Sequence, residues 1–332
     1  MGQNAGWTGM LEFIEETAFG VLPTDPAMEY IGVVQNASIN DKPIIESTRY
    51  LPQQAYTITL GQTRTSASLH QKVSSEISMD IEYLPKTIWS GLLPYALGEP
   101  TLGAAGVAAT GAADALGGSL SVGGYALGTP KYLMYSGGYV TDFTLDIQKD
   151  AISKVSTTLE FANSGVNTGA ASWANTANPM ASDYKGAGAH ADVVAGDALT
   201  MTDVTSSILA TDVTEPVTAT DIPESISINI SNNLRWIKDL DSSFTTKRSA
   251  AALLGRDITL GIELSYNDLD LYDEILAGNA FTYDMVYDGY TFHFGGFKFP
   301  EYPVNLDPEE LLGETIESTS VTNFQITLPV AA

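Results

Sequence analysis

The amino-acid sequence predicts a mainly β fold made of two similar halves. Three observations lead there. Apolar and polar residues alternate with a period of two in many short segments, helical patterns are few and short, and several segments recur in the same order along the chain.

The alternating segments are Tyr56–Leu60, Ile77–Leu84, Val140–Ile147, Val155–Phe161, Ser225–Ile230, Ile258–Leu264 and Tyr290–Phe294. Successive side chains on a strand point to opposite faces, so this pattern describes sheets with one buried and one wet face. Asp288-Gly289, between Met285–Tyr287 and Tyr290, is a hairpin-turn signal. The clearest helix runs from Asp268 to Ala277. Asp268 is a cap candidate, Leu269, Tyr272, Ile275 and Leu276 share one face, and Gly278 is the stop. A second helical segment, Thr87 to Gly98, carries Pro94, which makes it irregular or splits it.

Ile77–Tyr83 matches Ile258–Leu264, and in both places a short helical segment ending at Gly follows. Upstream, Ser38–Asn40 matches Ser227–Asn229; downstream, Ile152–Phe161 resembles Thr315–Phe324. The order is therefore the same twice: strand, long connection, strand, helix, hairpin, final strand. Two unrelated β domains are the alternative to a tandem duplication. The expected organisation is a first module over 1–164 with a Gly/Ala-rich insertion at 102–124, a linker or decoration over 165–220, and a second module over 221–332. The segment 165–220 is rich in Ala, Gly, Thr, Asp and Ser and has too little apolar periodicity for a core of its own.

The chain has 332 residues, 44% of them hydrophobic, which suffices for two cores. Its 15 Lys and Arg stand against 40 Asp and Glu, a net charge of −25. Such a surface repels polyphosphate, which argues against sequence-specific reading of nucleic acid but not against letting nucleic acid pass without sticking. Solubility alone, or a high-salt habitat, accounts for the acidity equally well. The absence of cysteine excludes disulfide scaffolds, zinc ribbons and thiol chemistry. Met1–Met10 does not read as a secretory signal, and Leu102–Leu120 lacks the large apolar residues of a membrane span, so the chain is expected to be soluble when made.

No catalytic constellation emerges. His70, His190 and His293 have no partner at ligand spacing, and the acids at Asp268, Asp270, Asp273 and Glu274 do not follow a calcium-loop pattern. At a helix start they are better explained by the helix dipole. No nucleophile elbow, phosphate loop or dinucleotide fingerprint follows a strand, so no cofactor and no metal is expected.

The cations are not scattered. Lys42, Arg49, Arg64, Lys72 and Lys86 fall within 42–86, mostly in the long connection before the second strand of the first half, and Arg235, Lys238, Lys247, Arg248 and Arg256 within 235–256, the matching stretch of the second. Exposed loops are ordinarily polar. On an acidic chain, however, a cationic connection is well placed to dock on the acidic body of a neighbouring copy.

The opening Glu15–Pro26, followed by Ile31–Val34, resembles the start of tail-tube proteins of long-tailed, siphovirus-like viruses of bacteria or archaea. Ser225–Phe324 is similar to that family's strand, long loop, strand, helix, hairpin and closing strand. The resemblance implies two tandem tail-tube-like β-sandwich or barrel modules, each with a short flanking helix. Copies would join their sheets into rings that stack as a hollow tube for DNA ejection, with Asp41–Ser75 and Asn232–Asp257 bridging to the next ring. Two modules per chain imply a trimeric, pseudo-sixfold ring, with a hexamer as the alternative. The partners implied are the chain itself, other tail proteins and DNA as non-specific passing cargo. The protein would be made in the host cytoplasm and end in the virion tail. A tail hub or tube-tip protein with two fused modules, a cell-surface or S-layer β protein, and a carbohydrate-active β enzyme are the competing readings.

Overall fold

The structure, a computed structural model, describes residues 11–16, 18–20, 29–30, 33–50, 67–85, 92–98, 108–110, 120–126, 131–149, 151–167, 204–210, 218–219, 223–240, 246–265, 269–301 and 313–327. The fold is mainly β. The first series of elements is β1 (Leu11–Glu15), β2 (Glu29–Tyr30), β3 (Val33–Tyr50), β4 (Ala67–Leu84), α1 (Leu93–Leu97), β5 (Ala108–Thr110), β6 (Leu120–Ala126), β7 (Lys131–Gln148), β8 (Lys154–Phe161) and β9 (Asn163–Asn167). The second is β10 (Val204–Ala210), β11 (Thr218–Ala219), β12 (Ser225–Leu240), β13 (Thr246–Ser265), α2 (Leu269–Leu276), β14 (Phe281–Tyr287), β15 (Tyr290–Phe297), β16 (Gly313–Glu317) and β17 (Asn323–Thr327).

The alternation sets the layers. On β4, Ile77, Met79, Ile81 and Tyr83 are buried, and on β12 Ile226, Ile228 and Ile230, while the residues between them face away from the core. A central antiparallel sheet runs β3-β4-β8-β7-β12-β13-β16. Two smaller antiparallel sheets are ordered β9-β7-β6-β1-β2 and β5-β17-β15-β14-β10-β11. β7 belongs to both the central and the first small sheet: its first half pairs with β6 and β9, its second half with β8 and β12. The three sheets contribute to one apolar core that includes Phe13, Phe143, Leu260, Phe281 and Phe294.

Apart from β5, which adds a strand at the β17 edge, the two small sheets have the same strand order and the same connectivity. In each, the strand that closes the sheet (β9 or β17) follows one (β8 or β16) that lies in the central sheet. Each also has a glycine in the left-handed region at the corner, Gly137 at φ 65 and Gly296 at φ 68. The backbone N–H donors that meet these corners correspond too: Ala162 donates to the Ser136 and Gly137 carbonyls, and Thr322 to the Gly295 carbonyl.

Several expectations hold in detail. Asp288 and Gly289 form the β14–β15 turn with φ of 52 and 75, as a two-residue hairpin requires. α2 ends where Gly278, at φ 71, donates to the Ile275 carbonyl. α1 begins only at Leu93, with Pro94 in its first turn, where a missing N–H costs nothing, and stops at Gly98.

Other expectations differ. The stretches 41–75 and 232–257, read as long loops, contain the outer parts of two long antiparallel hairpins, β3–β4 and β12–β13. The described parts of these stretches carry little period-two alternation, so the pattern that marked the other strands was missing there. The segment 165–220 contains β10, whose Ile208 and Ala210 are buried, together with β11 and the end of β9. The insertion 102–124 contains β5 and the start of β6, and β5 pairs with β17 of the other half. The Tyr56–Leu60 segment lies outside the described residues.

Candidate assembly surfaces and the seam between the halves

The outward face of the central sheet is built from acids and hydroxyls. Asp80 on β4 accepts from Ser38 on β3 at 3.4 Å and from Thr158 on β8 at 2.8 Å. Across the junction of the halves, Ser231 donates to Asp142 and Ser227 to Asp146, both at 2.8 Å, and Thr144 donates to Asn229 at 2.9 Å. Further on, Ser225 donates to Glu263 at 2.8 Å. Such cross-strand contacts fix the rotamers of the carboxylates and keep them pointing outward, at a net gain of roughly 0.5–1.5 kcal/mol each. Lys154, 3.1 Å from Glu82, adds a cation to this face. A shallow depression of about 230 Å³ lies here, lined by polar side chains including Ser38, Asp80, Asp142 and Thr158.

At the seam between halves, β12 pairs with β7 from Ser225 opposite Gln148 to Ser231 opposite Asp142. Just beyond, Asn232 is buried and uses all of its amide. Its Nδ2 donates to the carbonyls of Ala96 and Val140 at 3.0 Å each, and its Oδ1 accepts from Arg256 Nε at 2.7 Å. Arg256 also donates from Nη1 to the Leu97 carbonyl at 2.7 Å. The last carbonyls of α1, which have no partner within the helix, are thus held by two residues of the other half.

Farther out, Trp236 on β12 and Arg248 on β13 fasten the second hairpin to β8. The Arg248 guanidinium lies 4.4 Å over the Trp236 ring, donates to the Phe161 carbonyl at 2.9 Å and sits 3.5 Å from Glu160. The Trp236 indole N–H donates to Glu160 as well, and the ring packs near Phe19 and Tyr139. Burial lowers the Arg248 pKa, while Glu160 and Glu76 pull it back up.

Arg248 and Arg256, expected at contacts between copies, therefore make contacts within the chain. Lys42, Arg235 and Lys238 are exposed on the two hairpins. Arg49, Lys72 and Lys247 lie on described strands whose side chains are not described there, and Arg64 lies outside the described residues. Asn232 was missed in the sequence because its role depends on facing Arg256 across the β12–β13 ladder, a register that no spacing rule reveals. His293 is half-buried and meets Asp284, directly opposite on β14, through Nδ1 at 2.6 Å, an ordinary cross-strand pair. Among the described residues no group of His, Asp and Glu could hold a metal ion, and no helix is long and apolar enough to cross a membrane.

A sheet with a wet, carboxylate-rich face, joined through a polar seam, defines a structural β protein whose working parts are its surfaces. The chain matches the phage tail tube protein family over residues 8–322 and belongs to that family. It is a structural component of the virion tail, with self-association and other tail proteins as the partners the family implies. No curated protein matches the chain.

Proposed function

We propose that the chain polymerises as stacked rings into the hollow tube of a long, siphovirus-like tail, through which DNA passes during ejection. The observation that carries this reading is the central sheet. One face is lined by Asp80, Asp142, Asp146 and Glu263, and its two outer strands, β3 and β16, each pair on one side only among the described residues. Sheets joined edge to edge would remove these open edges and form a continuous wall. A wall of fixed carboxylates facing a channel repels phosphate and lets DNA slide without being held.

The chain is read as two tandem modules, supported by the matching order β9-β7-β6-β1-β2 and β17-β15-β14-β10-β11. On that basis the second module starts at β10, earlier than the sequence suggests, and β9 closes the first. Three chains then supply six modules for a pseudo-sixfold ring. The β3–β4 and β12–β13 hairpins are read as the bridges to a neighbouring ring, a reading supported by the exposure of Lys42, Arg235 and Lys238 on them. Image-averaged cross-sections of tubes grown from purified protein test this directly. Hollow polymers with three chains per ring are expected. Six chains per ring would overturn the trimer, and a protein that stays monomeric at high concentration would overturn the tube.

A further inference from the structure

We propose that the turn formed by Glu16, Phe19 and Gly20 is a latch that fixes the pose of the β12–β13 arm, so that the end of the N-terminal strand controls the segment read above as a bridge. The role of the arm as a bridge rests on the tube reading; the latch is a contact within one chain.

Glu16 follows directly after β1 and is only 7% exposed. Its Oε2 accepts from the Gly20 N–H at 2.7 Å, which closes the turn, and its Oε1 accepts from the Gly137 N–H at 2.8 Å. Both glycines lie at positive φ, 69 and 65. One carboxylate thus ties the end of the N-terminal strand to the corner of β7. Each oxygen serves a different N–H, so a side chain with one acceptor oxygen in place of two leaves one of them short.

The same corner seats Phe19. A Cβ at Gly137 would come within 3.0 Å of the Phe19 ring, so the ring lies against bare backbone. Phe19 stacks on Tyr139 with centroids 5.9 Å apart and meets Trp236 at 6.4 Å, while Tyr139 and Trp236 are 5.8 Å apart. The Tyr139 phenol pKa is raised by burial and, after that, by the charge of Glu16. Trp236 belongs to the arm, where it carries the Arg248 guanidinium and donates to Glu160. Contact therefore runs from the Glu16 carboxylate through Phe19 to the arm.

The arm has a hinge beneath that contact. The β12–β13 ladder slips between Asn233 and Leu234: Asn233 faces Gly255, Leu234 faces Leu253, and Leu254 is left over, 69% exposed. Such a bulge bends a hairpin, and a Cβ at Gly255 would meet nothing within 4 Å. On the near side of the bulge, Asn232 and Arg256 fix the hairpin to the seam. On its far side, among the described residues, the arm's side chains reach the first half through Trp236 and Arg248. A two-stranded ribbon is marginal by itself, so the pose beyond the bulge depends on this second anchor and on the turn that backs it.

The test uses the full chain before assembly. The sequence has no cysteine, so two introduced ones take spin labels specifically. Ile152→Cys with Ile237→Cys reports the arm, and Ile152→Cys with Val286→Cys reports the body; all three side chains are exposed. Electron–electron distance measurements should give one narrow separation for the arm pair in the parent. Glu16→Gln, which removes one acceptor, and Phe19→Ala, which removes the ring, should each lose that separation to a broad one while the body pair stays unchanged. Both together should broaden it no more than the stronger alone, because they open the same catch. An arm distance that stays narrow in either folded variant overturns the latch. So does a body pair that broadens along with the arm, which would mean general loosening. If Glu16→Gln fails to fold, Phe19→Ala decides by itself, since Phe19 is half-buried and its loss leaves the Glu16 bonds in place. Tube growth by the parent is scored separately: its failure removes the bridge reading, while the distances still decide the latch.

Discussion

Arg256 Nε donates to the Oδ1 of Asn232, the residue directly opposite it on the neighbouring strand, at 2.7 Å. The pair satisfies every polar group it buries, since the Asn232 amide hydrogens go to Ala96 and Val140 and the Arg256 fork reaches Leu97. Replacing Asn232 by Ala would strand two carbonyls and one guanidinium edge in the seam. Asn232→Ala is expected to cost about 2–3 kcal/mol in urea unfolding, with Arg256→Ala similar and the double variant well short of additive. Arg256→Lys should recover little, because an ammonium cannot reach both acceptors in fork geometry. Additive losses would mean the two residues act separately.

The Arg248 side chain is only 8% exposed, and it meets Trp236, Glu160 and the Phe161 carbonyl at once. Removing Glu160's charge leaves a desolvated guanidinium with less compensation, whereas removing Arg248 also loses ring contact and packing. Arg248→Ala should therefore destabilise by about 2–3 kcal/mol, and Glu160→Gln by about 1 kcal/mol because the carboxylate is partly exposed and screened. Both values follow from thermal or denaturant unfolding. Equal losses would show that charge, not stacking, dominates this contact.

Gly137 and Gly296 turn their strands at matching corners of the two halves. A Cβ at Gly137 would lie 2.7 Å from the Ala162 Cβ, and one at Gly296 would lie 2.0 Å from Thr322 Oγ1, both at positive φ. Backbone strain and overlap add, so Gly137→Ala is expected to cost about 2 kcal/mol or more. Gly296→Ala should be milder once Thr322 rotates away, and the variant Gly296→Ala with Thr322→Ala should recover part of the loss. Unfolding midpoints decide.

These corners mark the limit of what the chain reveals by pattern. Strands covered on one face were legible, since Ile77–Tyr83 and Ile226–Ile230 alternate cleanly. β10 was not, because Val204–Ala210, whose Ile208 and Ala210 are buried, sits in a stretch of small polar residues. The hairpin arms read as loops because their described parts carry little period-two alternation. The recurrence of Ile77–Tyr83 at Ile258–Leu264 pointed to two similar halves, yet the register that sets Asn232 against Arg256, and the opposite exposures of Ile39 and Ile228, belong to pairing in space. The cation clustering drew attention to Arg248 and Arg256 but not to their contacts within the chain, with Trp236 and Asn232 on β12 and with Glu160, Phe161 and Leu97 of the first half.

Tyr83 is buried, and its hydroxyl accepts from the Leu92 N–H at 3.3 Å. Burial raises its pKa well above the ordinary value of 10.0, with the Leu92 contact opposing slightly. Above that value the unfolded chain loses the phenol proton while the folded chain keeps it. The folded state then binds more protons, and stability falls as pH rises. Tyr83→Phe removes this contribution, so its unfolding free energy should decline less steeply than the parent's above about pH 10, against a loss of about 1 kcal/mol at neutral pH from the stranded Leu92 N–H. Identical alkaline slopes would place the sensitivity elsewhere, Tyr139 and Tyr290 being raised by burial too.

The carboxylate face makes the most direct link from local chemistry to the tube. Asp142 and Asp80 are exposed on it and accept from Ser231, Ser38 and Thr158. Reversing them to Lys places cations where a passing duplex would otherwise meet like charge, and each phosphate so neutralised adds about 0.9 to the slope of binding against salt. Tubes of Asp80→Lys with Asp142→Lys should therefore retain duplex DNA at low salt and release it as salt rises, while parent tubes hold none. Because both side chains are exposed, assembly should survive the change, with stability shifted by no more than about 1 kcal/mol per site. Particles carrying the double variant should eject DNA more slowly, and more so at low ionic strength. Salt-independent ejection at the parent's rate would mean that this face does not line the channel, and the acids would then have to be sought on the outer surface of the tube.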